Sequence, residues 1–248
     1  MIKIGITGQS GFVGTHLYNY FKKKTEYLVI PFENSFFKEE KKLRNFVKKC
    51  DVIIHLAAMM RSPKKGDVYD TNMKLVSLLI DAIEKEKVIP SIIFSSSIQE
   101  GNGSEYGRCK EDGRNKLYNW ALEHQCGFVG VLFPNLFGPG ATPNSHSYIA
   151  TFCYKLIHNE IPQILVDDLI PLKYIGNVLP EIEHFVVCLN QNKILINKIE
   201  LKPDFYLKVS ETLSILEKFK KQYMEGGIKP SITNNSEKYL FETFKSYI

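Results

Sequence analysis

The sequence predicts an α/β protein built on a doubly wound parallel sheet with a smaller C-terminal lobe, and three observations carry this. Short apolar runs alternate with segments of helical period over residues 1–134. Those runs are apolar along nearly their whole length, as strands covered on both faces must be. The rhythm changes at Pro134, where a loop rich in Gly, Pro and Asn begins. With 248 residues, 44% of them hydrophobic, the chain can bury a substantial core over 1–134 and carry a lobe over 135–248 in one compact unit.

The elements follow in order. Ile2, Ile4, Gly5 and Ile6 read as a buried strand that runs into Thr7-Gly8-Gln9-Ser10-Gly11-Phe12-Val13-Gly14. Phe12, Val13, His16, Leu17, Tyr20 and Phe21 then recur at helical spacing. Tyr27 to Phe32 is a second strand, and Lys38 to Lys49 a helix with Leu43, Phe46 and Val47 on one face. Asp51 to Leu56 is a third strand, Asn72 to Glu86 a long helix, Ser91 to Ser95 a fourth strand, Tyr106 to Gln125 a helix and Phe128 to Phe133 a fifth strand. Beyond the loop at 134–145, a helix is expected at Ser147 to His158, short strands at Ile161 to Val166 and Leu169 to Ile175, and helices near Ser210 to Tyr223 and Ser236 to Tyr247.

The glycines at 8, 11 and 14 stand between a strand and a helix. There a chain must turn tightly, let a pyrophosphate approach backbone N–H groups and start a closely packed helix, so the turn predicts a dinucleotide grip in a Rossmann sheet. An ordinary strand-to-helix turn is the competing explanation. Ser95, Ser96 and Ser97 close the fourth strand, and Tyr106 and Lys110 lie at i, i+4 on the next helix. That spacing shares one helix face, so the ammonium is expected to lower the phenol's pKa toward a range where it trades protons efficiently. Tyr106 would then deliver a proton to a carbonyl oxygen, Ser97 would hold that oxygen, and Lys110 would also reach the nicotinamide ribose.

Bulk properties exclude several classes. The net charge of +5 comes from lysines scattered among acids, so nucleic-acid binding is not expected. Five cysteines without CxxC spacing argue against a disulfide framework and a zinc ribbon, and the dispersed histidines offer no metal site. No uncharged run approaches the roughly 20 residues of a membrane span, and no signal-peptide pattern opens the chain, so a cytoplasmic location is expected.

TGQSGFVG, HLAA (His55 to Ala58), SSSIQ (Ser95 to Gln99), YGRCK and PNLFG together resemble the extended short-chain dehydrogenase/reductases that act on nucleotide sugars. SSSIQ, YG..K, PNLFG, PNSHS and IATFCYKL are similar to capsular-polysaccharide enzymes of UDP-N-acetyl-L-fucosamine synthesis, across essentially the whole chain. Those enzymes join an NADPH-dependent 4-ketoreductase domain to a cupin that epimerises C3. The cupin half has no counterpart in this sequence, so the resemblance implies 4-ketoreduction alone. It assigns Ser97, Tyr106 and Lys110 to catalysis, Tyr106 and Lys110 also to the cofactor, and Gly8, Ser10, Gly11, Phe12, Val13 and Gly14 to the pyrophosphate. Leu56, Ala57 and Ala58 fall under the adenosine ribose, with tight packing as the alternative, and Asn135 contacts the sugar nucleotide. Arg61 either reaches substrate or is a surface charge, and His146 is a further candidate for the sugar or uracil.

Two departures matter. Glu33, about 20 residues beyond Gly14, stands where related enzymes place a base for a 2′-phosphate; an acid there accepts from a ribose 2′-OH instead, so NADP(H) and NAD(H) both stay open. Asn177 replaces an Asp common in the family. Ile98 and Gln99 occupy the places where sugar dehydratases carry paired acids. A homodimer through the helices at 72–86 and 106–125 is the family's usual assembly. A nucleotide-sugar 4-epimerase and a non-catalytic nicotinamide-binding regulator remain alternatives.

Overall fold

The computed structural model describes residues 1–145, 147–192 and 194–248. They form two compact units, 1–133 with 179–201, and 134–178 with 202–248.

The first unit opens with β1 (Ile2–Thr7), α1 (Phe12–Lys22), β2 (Tyr27–Ile30), a 3₁₀ turn (Asn34–Lys38) and α2 (Glu40–Val47). It continues through β3 (Val52–His55), α3 (Asp67–Glu86), β4 (Ser91–Ser97), α4 (Glu105–Glu123) and β5 (Phe128–Phe133). Among the described residues its sheet has six strands in the order β2-β1-β3-β4-β5-β8, where β8 is Leu195–Glu200, and every pairing is parallel. This is the doubly wound arrangement that the uninterrupted apolar strands predict. On one face Leu43, Phe46, Leu79, Ile83, Leu117 and Trp120 pack over Ile53, Ile92, Phe94 and Phe128. Burying a side chain of that size contributes about 1.5–3 kcal/mol, so the helical stripes read from the sequence are what fix α2, α3 and α4 to the strands.

Residues 179–201 belong to this unit, whereas the sequence places 135–248 mainly in the second lobe. They comprise most of α6 (Ile175–Asn192) together with β8, which adds a parallel strand beside β5. Neither element is predicted from sequence. Pro180 sits early in α6 and interrupts its pattern, while β8 reads LINKIE, an edge strand half polar and without the continuous apolar run of its neighbours.

In the second unit β6 (Asn135–Phe137), β7 (Leu169–Tyr174) and β9 (Phe205–Lys208) form a mixed sheet, β6 parallel and β9 antiparallel to β7. Helices α5 (Tyr148–Ile157), α7 (Val209–Phe219) and α8 (Asn235–Lys245) enclose Phe137, Phe152, Leu216, Phe219, Leu240 and Phe244. The strand expected at Ile161 to Val166 is irregular chain instead, with Ile161, Leu165 and Val166 exposed; apolar composition alone, without a neighbouring strand to pair, does not make a ladder. Among the described residues no helix is long and apolar enough to cross a membrane.

Candidate active site

At the C-terminal end of β1 the chain turns on Gly8, whose φ of +70° suits glycine and whose added Cβ would lie 2.9 Å from the Ala57 nitrogen. Gly14 lies in the first turn of α1, where a Cβ would collide with the backbone of Gly8 and Gln9. The turn and the helix therefore approach more closely than any side chain permits. No side chain caps the N-terminus of α1 at Gly11, so the N–H groups at Phe12 and Val13 receive nothing from the cap residue. The Gln9 carboxamide oxygen in the same turn is buried with no hydrogen-bond partner among the described residues. An uncapped helix start with a glycine-lined approach fits a dinucleotide pyrophosphate.

Two further loops reach this turn. Asn34 Nδ2 donates to Ser10 Oγ at 3.5 Å, which brings the chain after β2 beside the glycine turn, and the neighbouring Glu33 is exposed and accepts from Ser35 Oγ at 3.3 Å. From β3, the Ala57 N–H donates to Thr7 Oγ1 at 3.3 Å, and Thr7 Oγ1 lies 2.8 Å from His55 Nδ1. Thr7 Oγ1 thus links the Ala57 backbone to the His55 ring. Burial pulls the His55 pKa down to about 3, with the positive charge of Lys110 acting in the same direction. Leu56 and Ala57 are half-buried in this crossing and Ala58 is exposed; Arg61 is exposed beyond it.

The second group forms where β4 meets α4. Ser97 is buried, and its Oγ accepts from the Gln99 N–H at 3.1 Å. Lys110 is only 3% exposed; its Nζ donates to the Ser95 carbonyl at 2.6 Å and to Ser95 Oγ at 3.4 Å, and lies 5.7 Å from the Tyr106 ring centroid. The i, i+4 spacing thus brings Tyr106 and Lys110 together against the end of β4. Its electrostatic consequence differs from the one expected. Burial, followed by the neighbouring Cys109, pushes the Tyr106 phenol above its ordinary pKa, while burial pulls Lys110 down to about 8. The ammonium donates to Ser95, so desolvation outweighs its charge and raises the phenol's pKa instead of lowering it.

Several contributors carry no motif in the sequence. Asn72 on α3 is buried and both accepts from the Met59 N–H (2.7 Å) and donates to its carbonyl (2.8 Å), pinning the loop after β3. Its amide also lies 3.1 Å from Cys109 Sγ on α4. Glu100, just past Ser97, is locked to Arg114. In the second unit Asn135 Nδ2 donates to the Pro171 carbonyl at 3.3 Å, and Asn177 Nδ2 donates to Asp204 at 3.0 Å. His146 lies outside the described residues.

A six-stranded parallel sheet whose first turn is lined by glycine and uncapped, with Tyr and Lys on the helix after β4, defines a Rossmann-like α/β fold. The chain belongs to the NAD dependent epimerase/dehydratase family, whose sequence profile matches residues 4–177. It is 26% identical over 220 residues, 88% of its length, to a UDP-2-acetamido-2,6-beta-L-arabino-hexul-4-ose reductase from Pseudomonas aeruginosa. It superimposes over its whole length on the capsular polysaccharide assembling protein CapF from Staphylococcus aureus, with a TM-score of 0.82 and 28% identity. The chain spans 58% of the first relative and 65% of the second. A UDP-glucuronic acid 4-epimerase from Bacillus cereus, solved with NAD, shares the fold at a TM-score of 0.80 and 16% identity over 99% of this chain and 96% of its own.

Proposed function

We propose that this protein reduces the 4-keto group of a nucleotide-activated 6-deoxy-hexulose, with a reduced nicotinamide dinucleotide as the electron donor. One observation carries the proposal: Tyr106 and the buried Lys110 packed together against the end of β4, next to the buried Ser97. The 26% identity with the hexulose reductase over 88% of the chain supports the substrate class.

The nicotinamide, when bound, supplies the hydride. Tyr106 gives its proton to the oxygen as charge gathers there, Ser97 Oγ donates a hydrogen bond to the same oxygen, and Lys110 offsets the phenolate that is left. A carbonyl, a hydride and a proton thus become a hydroxyl. Gly8 to Gly14 would hold the pyrophosphate through the Phe12 and Val13 N–H groups, with Ser10 in the same turn. Glu33 would accept from an adenosine ribose 2′-OH and repel a 2′-phosphate, which favours NADH. The chemistry beside Ser97 argues against dehydration: the acid nearest it, Glu100, is paired to Arg114 and Ser96 and has no free oxygen with which to remove a substrate proton.

The reaction is followed by loss of reduced-nicotinamide absorbance on adding 4-keto sugar nucleotides, with the product identified by NMR. Tyr106→Phe is expected to lower kcat about 10³-fold, within the range for a positioned acid, and to leave cofactor affinity unchanged. Full turnover in that variant sinks the assignment.

A further inference from the structure

The connection between Ser97 and Tyr106 is short and is closed by local hydrogen bonds, among them Glu100 N–H to the Ser97 carbonyl at 3.1 Å and Ser104 N–H to Asn102 Oδ1 at 2.9 Å. Gly101 and Gly103 both take φ of +78° with open space around them. The Glu100 side chain ties this connection to α4 and β8. The Glu100 side chain is 2% exposed and that of Arg114 4%, and the two meet as a fork, Nε to Oε1 at 2.8 Å and Nη2 to Oε2 at 2.8 Å. Ser96 Oγ donates to the same carboxylate, and Lys198 Nζ approaches it at 3.5 Å. Burial works to raise the Glu100 pKa, but Arg114, Ser96 and Lys198 outweigh it and hold the carboxyl below its ordinary range.

The remaining guanidinium nitrogen of Arg114 donates to Asn197 Oδ1, to the Asn197 carbonyl at 3.4 Å and to Asn115 Oδ1 at 3.0 Å. To reach β8 the arginine stem passes over Gly130 in β5, where an added Cβ would lie 2.6 Å from Arg114 Cδ and would also strike the Asn197 carbonyl. The β5–β8 register shifts at this same point, between Val129 and Val131. Strand β8, the bare position in β5, the arginine on α4 and the acid after β4 are therefore one assembly.

Burying a charged pair is costly, and such pairs are weak evidence for stability; their better attested use is to specify one arrangement. Here the arrangement is identifiable. Arg114 follows Tyr106 and Lys110 at i, i+4, i+8 on one face of α4, so fixing its guanidinium fixes the rotation of the helix that presents both. Glu100 follows Ser97 by three residues and Ser96 precedes it, so their shared carboxylate brackets Ser97 from both sides.

We infer that Glu100 and Arg114 form a positioning clamp that sets Ser97 against Tyr106 and Lys110. The inference rests on the ketoreductase function proposed above. Arg114→Ala is expected to lower kcat about 100-fold, the cost of displacing a reacting group by about 1 Å, with NADH affinity and the KM for the sugar nucleotide little changed. Methylguanidinium should restore part of that kcat in Arg114→Ala and none in Tyr106→Phe. A folded Arg114→Ala with wild-type kcat overturns the clamp, as does a loss confined to melting temperature with kcat per folded molecule intact. Should Arg114→Ala not fold, the double variant Glu100→Gln with Arg114→Met removes both charges and is judged by the same kcat and KM. If the wild-type chain turns over no 4-keto sugar nucleotide, the proposed reaction fails separately. The clamp is then decided by amide hydrogen exchange over 98–107: faster exchange in the variant with the rest of the unit unchanged supports it, and identical exchange overturns it.

Discussion

The turns after β1 and after β4 lie in one sheet and are built by opposite means. After β1 the backbone makes the site: glycines remove side chains so that the chain can close on itself, and the helix start keeps its N–H groups uncapped. After β4 side chains make it, with Ser96, Ser97, Glu100, Tyr106, Lys110 and Arg114 all drawn into one stretch around the strand end. A backbone-made site tolerates almost no added atoms, whereas a side-chain-made site depends on which groups are charged. Steric insults should therefore dominate at the first turn and ionisation at the second.

The largest expected effect tests the steric half. Gly14→Val would drive its side chain into the backbone of Gly8 and Gln9, so the glycine turn must open. Dinucleotide affinity, measured by quenching of protein fluorescence, should fall about 1000-fold, roughly 4 kcal/mol. If the affinity is retained, the turn is more pliant than its packing implies and the contrast with β4 collapses.

His55 sharpens the contrast, because it shows a side-chain pin inside the backbone-made end. Its ordinary pKa of 6.5 drops to about 3 in the folded protein. Between those values the unfolded chain binds the proton and the folded one does not, so stability is fully present above pH 6.5 and is lost as pH falls toward 3. Near pH 5 the loss from this group is about 2 kcal/mol. His55→Asn, which keeps a hydrogen-bonding group toward Thr7, should flatten the denaturation midpoint between pH 7 and 5. An unchanged slope would place the acid sensitivity elsewhere.

The two turns also differ in how far sequence reveals them. Gly8, Gly11 and Gly14 are legible because a missing side chain leaves a mark at fixed spacing, and Tyr106 with Lys110 because i, i+4 is the helix's own period. Glu100 and Arg114 are not, since they stand on different elements with no period joining them, and Arg114 reads as one more solvated charge on an amphipathic helix. The direction of the Tyr106 pKa shift is equally hidden: the order of residues shows a nearby lysine but not that its hydrogen bonds go to Ser95 and that burial outweighs its charge. The parallel core was predicted strand by strand, while α6 and β8 escaped because Pro180 and the polar residues of LINKIE carry no continuous apolar signal.

The smallest effect lies at the edge of the backbone-made site, where one side chain does decide chemistry. Glu33 is exposed beside Asn34, whose amide reaches Ser10 in the glycine turn. A carboxylate there gains a hydrogen bond from a ribose 2′-OH and repels a 2′-phosphate, so the wild-type protein should bind NADH more tightly than NADPH. Exposure limits the contrast, because water and salt screen the repulsion. Glu33→Ala is expected to shift the NADH to NADPH affinity ratio by about tenfold, equivalent to roughly 1.4 kcal/mol, chiefly by strengthening NADPH. The shift should shrink as ionic strength rises. Equal affinity for the two cofactors in the wild-type protein, at low salt, would mean that the ribose sits beyond the reach of Glu33 and that the backbone of the turn alone selects the dinucleotide.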